Sequence, residues 1–171
     1  MFIGTIVPGN GENDMAEIRK PKIRAGERPV LKYAEQAAKL VAEEGEETLK
    51  TLARAQHELG KKYARTRIKS RGITGKGARA AGAVYESLLR ELSIEHSIIE
   101  DTNKRFVVRT SECPFMEEWK TKGADVPKLC ASFGKSFVQG LCEGVNPKLR
   151  YSATKMMSKG SPYCEERIEL A

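Results

Sequence analysis

Four cysteines stand at positions 113, 130, 142 and 164 of a 171-residue chain, and they are its most versatile side chains chemically. A thiolate attacks carbon or binds a soft metal, whereas a buried thiol is a small apolar filler. The gaps between them are 16, 11 and 21 residues, so there is no Cys-x-x-Cys knuckle and no sign of a zinc ribbon. Any common site has to be assembled by folding. A metal centre (zinc or manganese) or a thiolate-held iron–sulfur cluster stays open on these spacings, with Cys113, Cys142, Cys164 and Cys130 as its ligands.

Three of the four lie where an element is expected to begin or end, which is where pockets form. Cys113 precedes Pro114, a residue suited to a first helical turn, and a helix N-terminus lowers a thiol's pKa; this makes Cys113 the expected catalytic cysteine. Cys142 falls at a helix end and Cys164 at a strand start. On one continuous helix Cys130 and Cys142 would be roughly 18 Å apart, too far to share an ion. Cys130, beside Leu129 and one turn before Phe133, then reads as filler, leaving Cys113, Cys142 and Cys164 as the expected set. Glu143 and Glu165, each next to a cysteine, are the carboxylates placed for acid–base work, although a water-facing role is the plainer reading of each alone. The two histidines, His57 and His96, fall on the long helix and on a strand, far in sequence from every cysteine.

The elements that must position these residues follow from periodicity. Leu31, Ala34, Ala38, Val41, Gly45, Thr48, Leu52, Ala55 and Leu59 recur at steps of three and four, predicting one long amphipathic helix over 30–68. Small residues along the stripe suit close packing on another helix, within the domain or in a homo-oligomer. "RGITGKGAR" breaks the pattern as a solvated basic turn; it lacks the spacing of a phosphate-binding loop. A second helix follows from Ala78 to Leu92. "IEHSIIE" and "RFVVRT" make a hairpin, Pro114 to Gly123 a short helix, and Asp125 caps a third substantial helix that ends near Gly144. "LRYSATKMM" and "YCEERIEL" form a last hairpin in which Cys164 points inward, opposite Glu165. The order helix, helix, hairpin, helix, hairpin predicts an α+β fold: long N-terminal helices packed on an antiparallel sheet. Residues 1–28, rich in Gly, Pro and charge, read as a flexible arm before a single domain over 29–171.

A net charge of +7 favours an anionic partner without choosing one. The excess is local. Residues 61–79 hold eight cations and no acid, but only Tyr63 could stack on a base, so nucleic-acid binding ranks last among the functions. No apolar run is long enough for a membrane span, and the N-terminus lacks a signal-peptide pattern, which places the chain in the cytoplasm with reduced thiols.

"ECPF" at 112–115 and "GLCEGVNPKLRYSATKMMSKGSPYCEERI" at 140–168 resemble the L-2-amino-thiazoline-4-carboxylic acid hydrolase-like family, over about residues 75–170. The closing Gly-x-x-x-Cys strand also resembles vinyl-reductase-type small-molecule-binding domains. The first resemblance implies hydrolytic opening of a small cyclic amidine, with water added at the carbon between ring sulfur and nitrogen. Its matched positions are Cys113, Cys142 and Cys164, and Arg109, Lys148 or Arg150 would supply the cation for the substrate carboxylate. The alternative is a non-enzymatic metal or iron–sulfur domain acting as a sensor or redox-assembly subunit.

Overall fold

A computed structural model describes residues 29–171, so the arm expected at 1–28 lies outside the described residues. The chain runs α1 (Pro29–Glu44), α2 (Glu47–Arg71), α3 (Ala78–Glu91), β1 (His96–Asp101), β2 (Arg105–Thr110), α4 (Pro114–Thr121), α5 (Val126–Leu129), a π turn (Cys130–Lys135), α6 (Ser136–Val145), β3 (Leu149–Lys155), a 3₁₀ turn (Met157–Lys159) and β4 (Cys164–Leu170). The strands form one antiparallel sheet in the order β1-β2-β4-β3, so the last strand lies between β2 and β3 and joins the two hairpins. This is the α+β architecture expected from the periodicity.

The long N-terminal helix is two helices. Gly45 sits at φ +84°, a left-handed conformation that "EEGEE" permits only at its glycine, and α2 starts again from Glu47. α2 then runs about 37 Å to a second left-handed glycine, Gly72, whose N–H donates to the Ile68 carbonyl. Asp125 caps α5 as expected, its carboxylate accepting from the Lys128 N–H at 3.1 Å. The helix it opens is not regular throughout: it widens into a π turn at Cys130–Lys135 before resuming as α6.

The small-residue stripe is used within the chain. A Cβ on Gly60 of α2 would fall 2.0 Å from the Phe137 carbonyl oxygen of α6, and one on Gly140 would fall 1.9 Å from the His57 carbonyl oxygen. The two backbones are therefore in contact, with Ala64 beside Gly144 continuing the seam. α3 and α6 cover the sheet. Their apolar faces bury Ala81, Val84, Leu89, Val138, Leu141 and Cys142 against Phe106, Val108 and Ile168. A second cluster joins Ala34, Ala37 and Ala38 of α1 to Trp119, Leu129 and Phe133, and the Trp119 indole N–H donates to the Ala34 carbonyl at 3.0 Å. Phe115 packs against both clusters. The other sheet face carries charge: Arg109 pairs with Glu165 at 2.8 Å and Arg105 with Glu100 at 2.7 Å.

Contact between backbones leaves no side chain to give way. Gly60→Ala and Gly140→Ala are expected to destabilise the fold by about 1–3 kcal/mol each, lowering the melting temperature by roughly 2–4 °C per kcal/mol. Gly134→Ala, whose Cβ would meet nothing within 4 Å, should leave it nearly unchanged. Thermal unfolding followed by circular dichroism compares the three.

Candidate functional site

Alternation along β4 puts Cys164, Glu166 and Ile168 on the helix-facing side and Glu165 and Arg167 on the other. Glu166 is the centre of the inner face. Tyr85 of α3 donates its hydroxyl to both carboxylate oxygens, at 2.9 and 2.8 Å, and Tyr151 of β3 donates to one of them at 2.5 Å. Burial raises the Glu166 pKa; the two phenol hydroxyls and the charge of Lys135 oppose the rise without cancelling it. Burial also pushes both tyrosines well above the usual phenol range, and the neighbouring carboxylate pushes them further, so they stay donors.

Tyr151 is held in place by α6. Gln139 accepts from the Tyr151 N–H at 2.8 Å and donates to the Leu149 carbonyl at 3.2 Å, gripping the sheet's edge strand by its backbone. The same amide donates to Glu143 at 2.9 Å.

Around Glu166 the fold gathers Cys113, Cys130 and Cys164, all half-buried. The charge on Glu166 is felt by the thiols of Cys130 and Cys164, and Cys113 in turn responds to both of these. Cys113 does open α4, where it makes no side-chain cap hydrogen bond and the nearby backbone N–H groups of Met116 and Phe115 act to lower its pKa. The lowered thiol pKa expected there is not found. Burial outweighs the two donors and pushes Cys113 up to about 11, so it is a neutral thiol at neutral pH. Burial raises Cys130 and Cys164 in the same direction. The Met157 N–H reaches the Cys164 sulfur at 3.4 Å, and the buried Ser158 hydroxyl beside Cys130 has no hydrogen bond of its own.

The expected division of the cysteines is reversed. Cys142 is fully buried in the main apolar cluster, with its thiol pushed to about 12 by burial and then by the adjacent Glu143, whereas Cys130 joins the shared pocket. The axial distance argument set Cys130 apart as filler, and in the structure it is Cys142 that is buried in the apolar cluster. Among the described residues no group of three or more Cys, His, Asp or Glu is arranged to hold a metal ion, so the expected ligand set does not form.

The sequence-expected carboxylates stand elsewhere. Glu143 faces α2, with His57 Nε2 at 3.1 Å and Lys61 Nζ at 3.6 Å; burial raises its pKa, but Gln139, His57 and Lys61 outweigh it and the net shift is downward. Glu165 lies on the outer sheet face, where Thr154 and Arg109 hold its pKa down. Glu166 was missed although the signal was present: it is two residues from Cys164 on a strand, hence on the same face. The expected substrate cations are also dispersed. Arg109 is on the outer face over the Tyr163 ring, Lys148 is exposed, and Arg150 donates to the Pro147 and Leu149 carbonyls. In the basic stretch, Arg67 and Arg71 pair with Glu91, Arg79 with Asp101, and Lys61 with Glu58 and Glu143.

A cleft of ≈ 250 Å³ is lined by His57, Lys135, Ser136, Gln139, Tyr151 and Ser152. Tyr151 thus faces the cleft along one side and bonds the buried carboxylate with its hydroxyl. No helix among the described residues is long and apolar enough to cross a membrane.

The family described as L-2-amino-thiazoline-4-carboxylic acid hydrolase matches residues 23–168, and the chain belongs to that family. No curated protein matches. Two solved structures share the fold. One is trafficking protein particle complex subunit 3 from Naegleria fowleri covalently bound to palmitic acid, at 16% identity and TM-score 0.53, covering 82% of this chain and 94% of that one. The other is the phenol-responsive sensory domain of the transcription activator PoxR with phenol, at 13% identity and TM-score 0.54, covering 82% and 73%.

Two outcomes follow from the electrostatics. Because its folded pKa is raised, Glu166 contributes most stability below the ordinary carboxyl pKa of about 4.3 and loses it as pH rises through the folded value. Denaturant unfolding of the wild type and Glu166→Gln should therefore show the wild type's relative stability falling as pH rises above the ordinary carboxyl range. For the thiols, iodoacetamide labelling read by mass spectrometry should be slow at pH 7 for Cys113, accelerate toward pH 11, and spare Cys142 until the chain unfolds.

Proposed function

We propose, with membership of the thiazoline-carboxylate hydrolase family as the premise, that this protein hydrolyses a small cyclic amidine of the 2-amino-thiazoline-4-carboxylate type at Glu166. The observation that carries this reading is the carboxylate itself: raised in pKa, oriented by two phenol hydroxyls, gathered with three neutral thiols, and bonded by Tyr151, which lines an open cleft. An amidinium presents two parallel N–H donors, the geometry that a carboxylate accepts in pairs.

With the ring amidine held there, water adds to the carbon between sulfur and nitrogen, and Glu166 takes the proton that the water loses. The adduct collapses as the ring carbon–nitrogen bond breaks, and the same proton passes to the departing nitrogen. The product is S-carbamoyl-cysteine, and substrate plus one water balances it. A carboxyl pKa raised toward neutrality serves both transfers better than an ordinary one. Cys113, Cys130 and Cys164 supply a polarisable wall for the ring sulfur. Attack by Cys113 itself would first require removing a proton from a thiol near 11, a cost that the water route avoids.

A second reading is a domain that binds its ligand without turnover, supported by the palmitic acid and phenol carried by the two similar folds. Incubation with 2-amino-thiazoline-4-carboxylate, followed by chromatography and mass spectrometry, separates the two. Formation of S-carbamoyl-cysteine by the wild type, and a fall of about 10²–10⁴ in kcat for Glu166→Gln, are expected. Saturable binding by calorimetry with no product would favour the second reading, and undiminished turnover by Glu166→Gln would remove the carboxylate from the mechanism.

A further inference from the structure

Lys135 is half-buried in the π turn, and it lines the cleft opposite Tyr151. Its charge is felt by two groups of the pocket, Glu166 and Cys130. Yet its ammonium has no ion pair and no hydrogen bond among the described residues, in contrast to Lys61, Lys122 and Lys128, which all have carboxylate partners. A partly desolvated cation with no direct ion pair, facing a polar opening, is a receptor for an anion. Ser152 adds a hydroxyl to the same walls, while the Ser136 hydroxyl donates to the Ala131 carbonyl at 3.4 Å and Gln139 is engaged with β3 and Glu143. The cleft therefore carries a positive group at Lys135 and shares one wall residue, Tyr151, with the buried carboxylate that its hydroxyl bonds.

We infer that Lys135 is the specificity-determining residue that pairs with the substrate's carboxylate, and that the site selects dipolar molecules with an anion at the mouth and an amidine inside. The inference rests on the reading that Glu166 receives the amidine. It replaces Arg109, Lys148 and Arg150, none of which opens onto this cleft.

The test compares 2-amino-thiazoline-4-carboxylate with 2-amino-thiazoline, which lacks the carboxylate, on the full chain and on Lys135→Met and Lys135→Arg. The wild type should favour the carboxylate compound in kcat/KM by at least tenfold. Lys135→Met should abolish that preference, raising KM for the carboxylate compound about tenfold or more relative to the neutral compound, with any change in kcat shared by both. Lys135→Arg should restore most of the preference, and melting curves of the variants should match the wild type. Equal losses on both compounds, a wild type indifferent to the carboxylate, or a preference that survives Lys135→Met would each overturn the inference while leaving hydrolysis at Glu166 standing. A wild type that turns over neither compound overturns both.

Discussion

The contact between the backbones of α2 and α6 fixes more of this molecule than any other packing feature. Where Gly60 meets the Phe137 carbonyl and Gly140 the His57 carbonyl, no intervening side chain sets the spacing, so α6 has one available position along and around α2. That position presents Gln139 to the edge strand β3, and Gln139 binds the strand through backbone atoms on both sides of Arg150. Tyr151 then stands with its hydroxyl on Glu166. A chain of contacts thus runs from two glycines through the Gln139 amide and Tyr151 to one carboxylate.

The pocket that results keeps its groups neutral where it can. All three of its thiols are shifted upward by burial, and the two tyrosines likewise, so Glu166 and Lys135 are the members that bring charge to it. A low-dielectric wall around a single acid strengthens what that acid does to a bound cation or a nearby proton. The outer sheet face has the opposite character. There Arg109, Glu165, Arg105 and Glu100 pair in contact with water, which supports solubility more than chemistry.

The fold was largely legible in the sequence, because periods of 3.6 and 2 are set by burial and the α+β order follows from them. The misreadings have local causes. Gly45 fits the apolar stripe by size, and nothing in periodicity distinguishes a small helical residue from one in a left-handed bend. The π turn at 130–135 conserves the apolar face while turning its residues by a different angle, so a regular helix drawn through it sends Cys130 into the core and Cys142 toward the edge. Adjacency misled in the same way at the carboxylates. Glu143 and Glu165 stand next to cysteines in sequence, but a neighbour on a strand points to the opposite face, and the residue that shares the Cys164 face is Glu166. The family resemblance was read from short motifs holding Cys113, Cys142 and Cys164, and membership of that family holds over residues 23–168. Lys135 lay in no motif, since a lone lysine in a helix gives no sign of being left without a partner.

A π turn spans its segment with one residue more than an α-helix would need. Deleting a single residue between Cys130 and Lys135 would let the backbone bonds close as an ordinary helix, and the short helix α5 just before it would turn about 100° around the axis. Cys130 would leave the pocket and Leu129 its apolar cluster together, while α6 kept its seat on α2. The thiol lining is therefore the kind of feature that one codon gained or lost can switch in a lineage, with the sheet, the acid and its two phenols inherited intact on either side of the event.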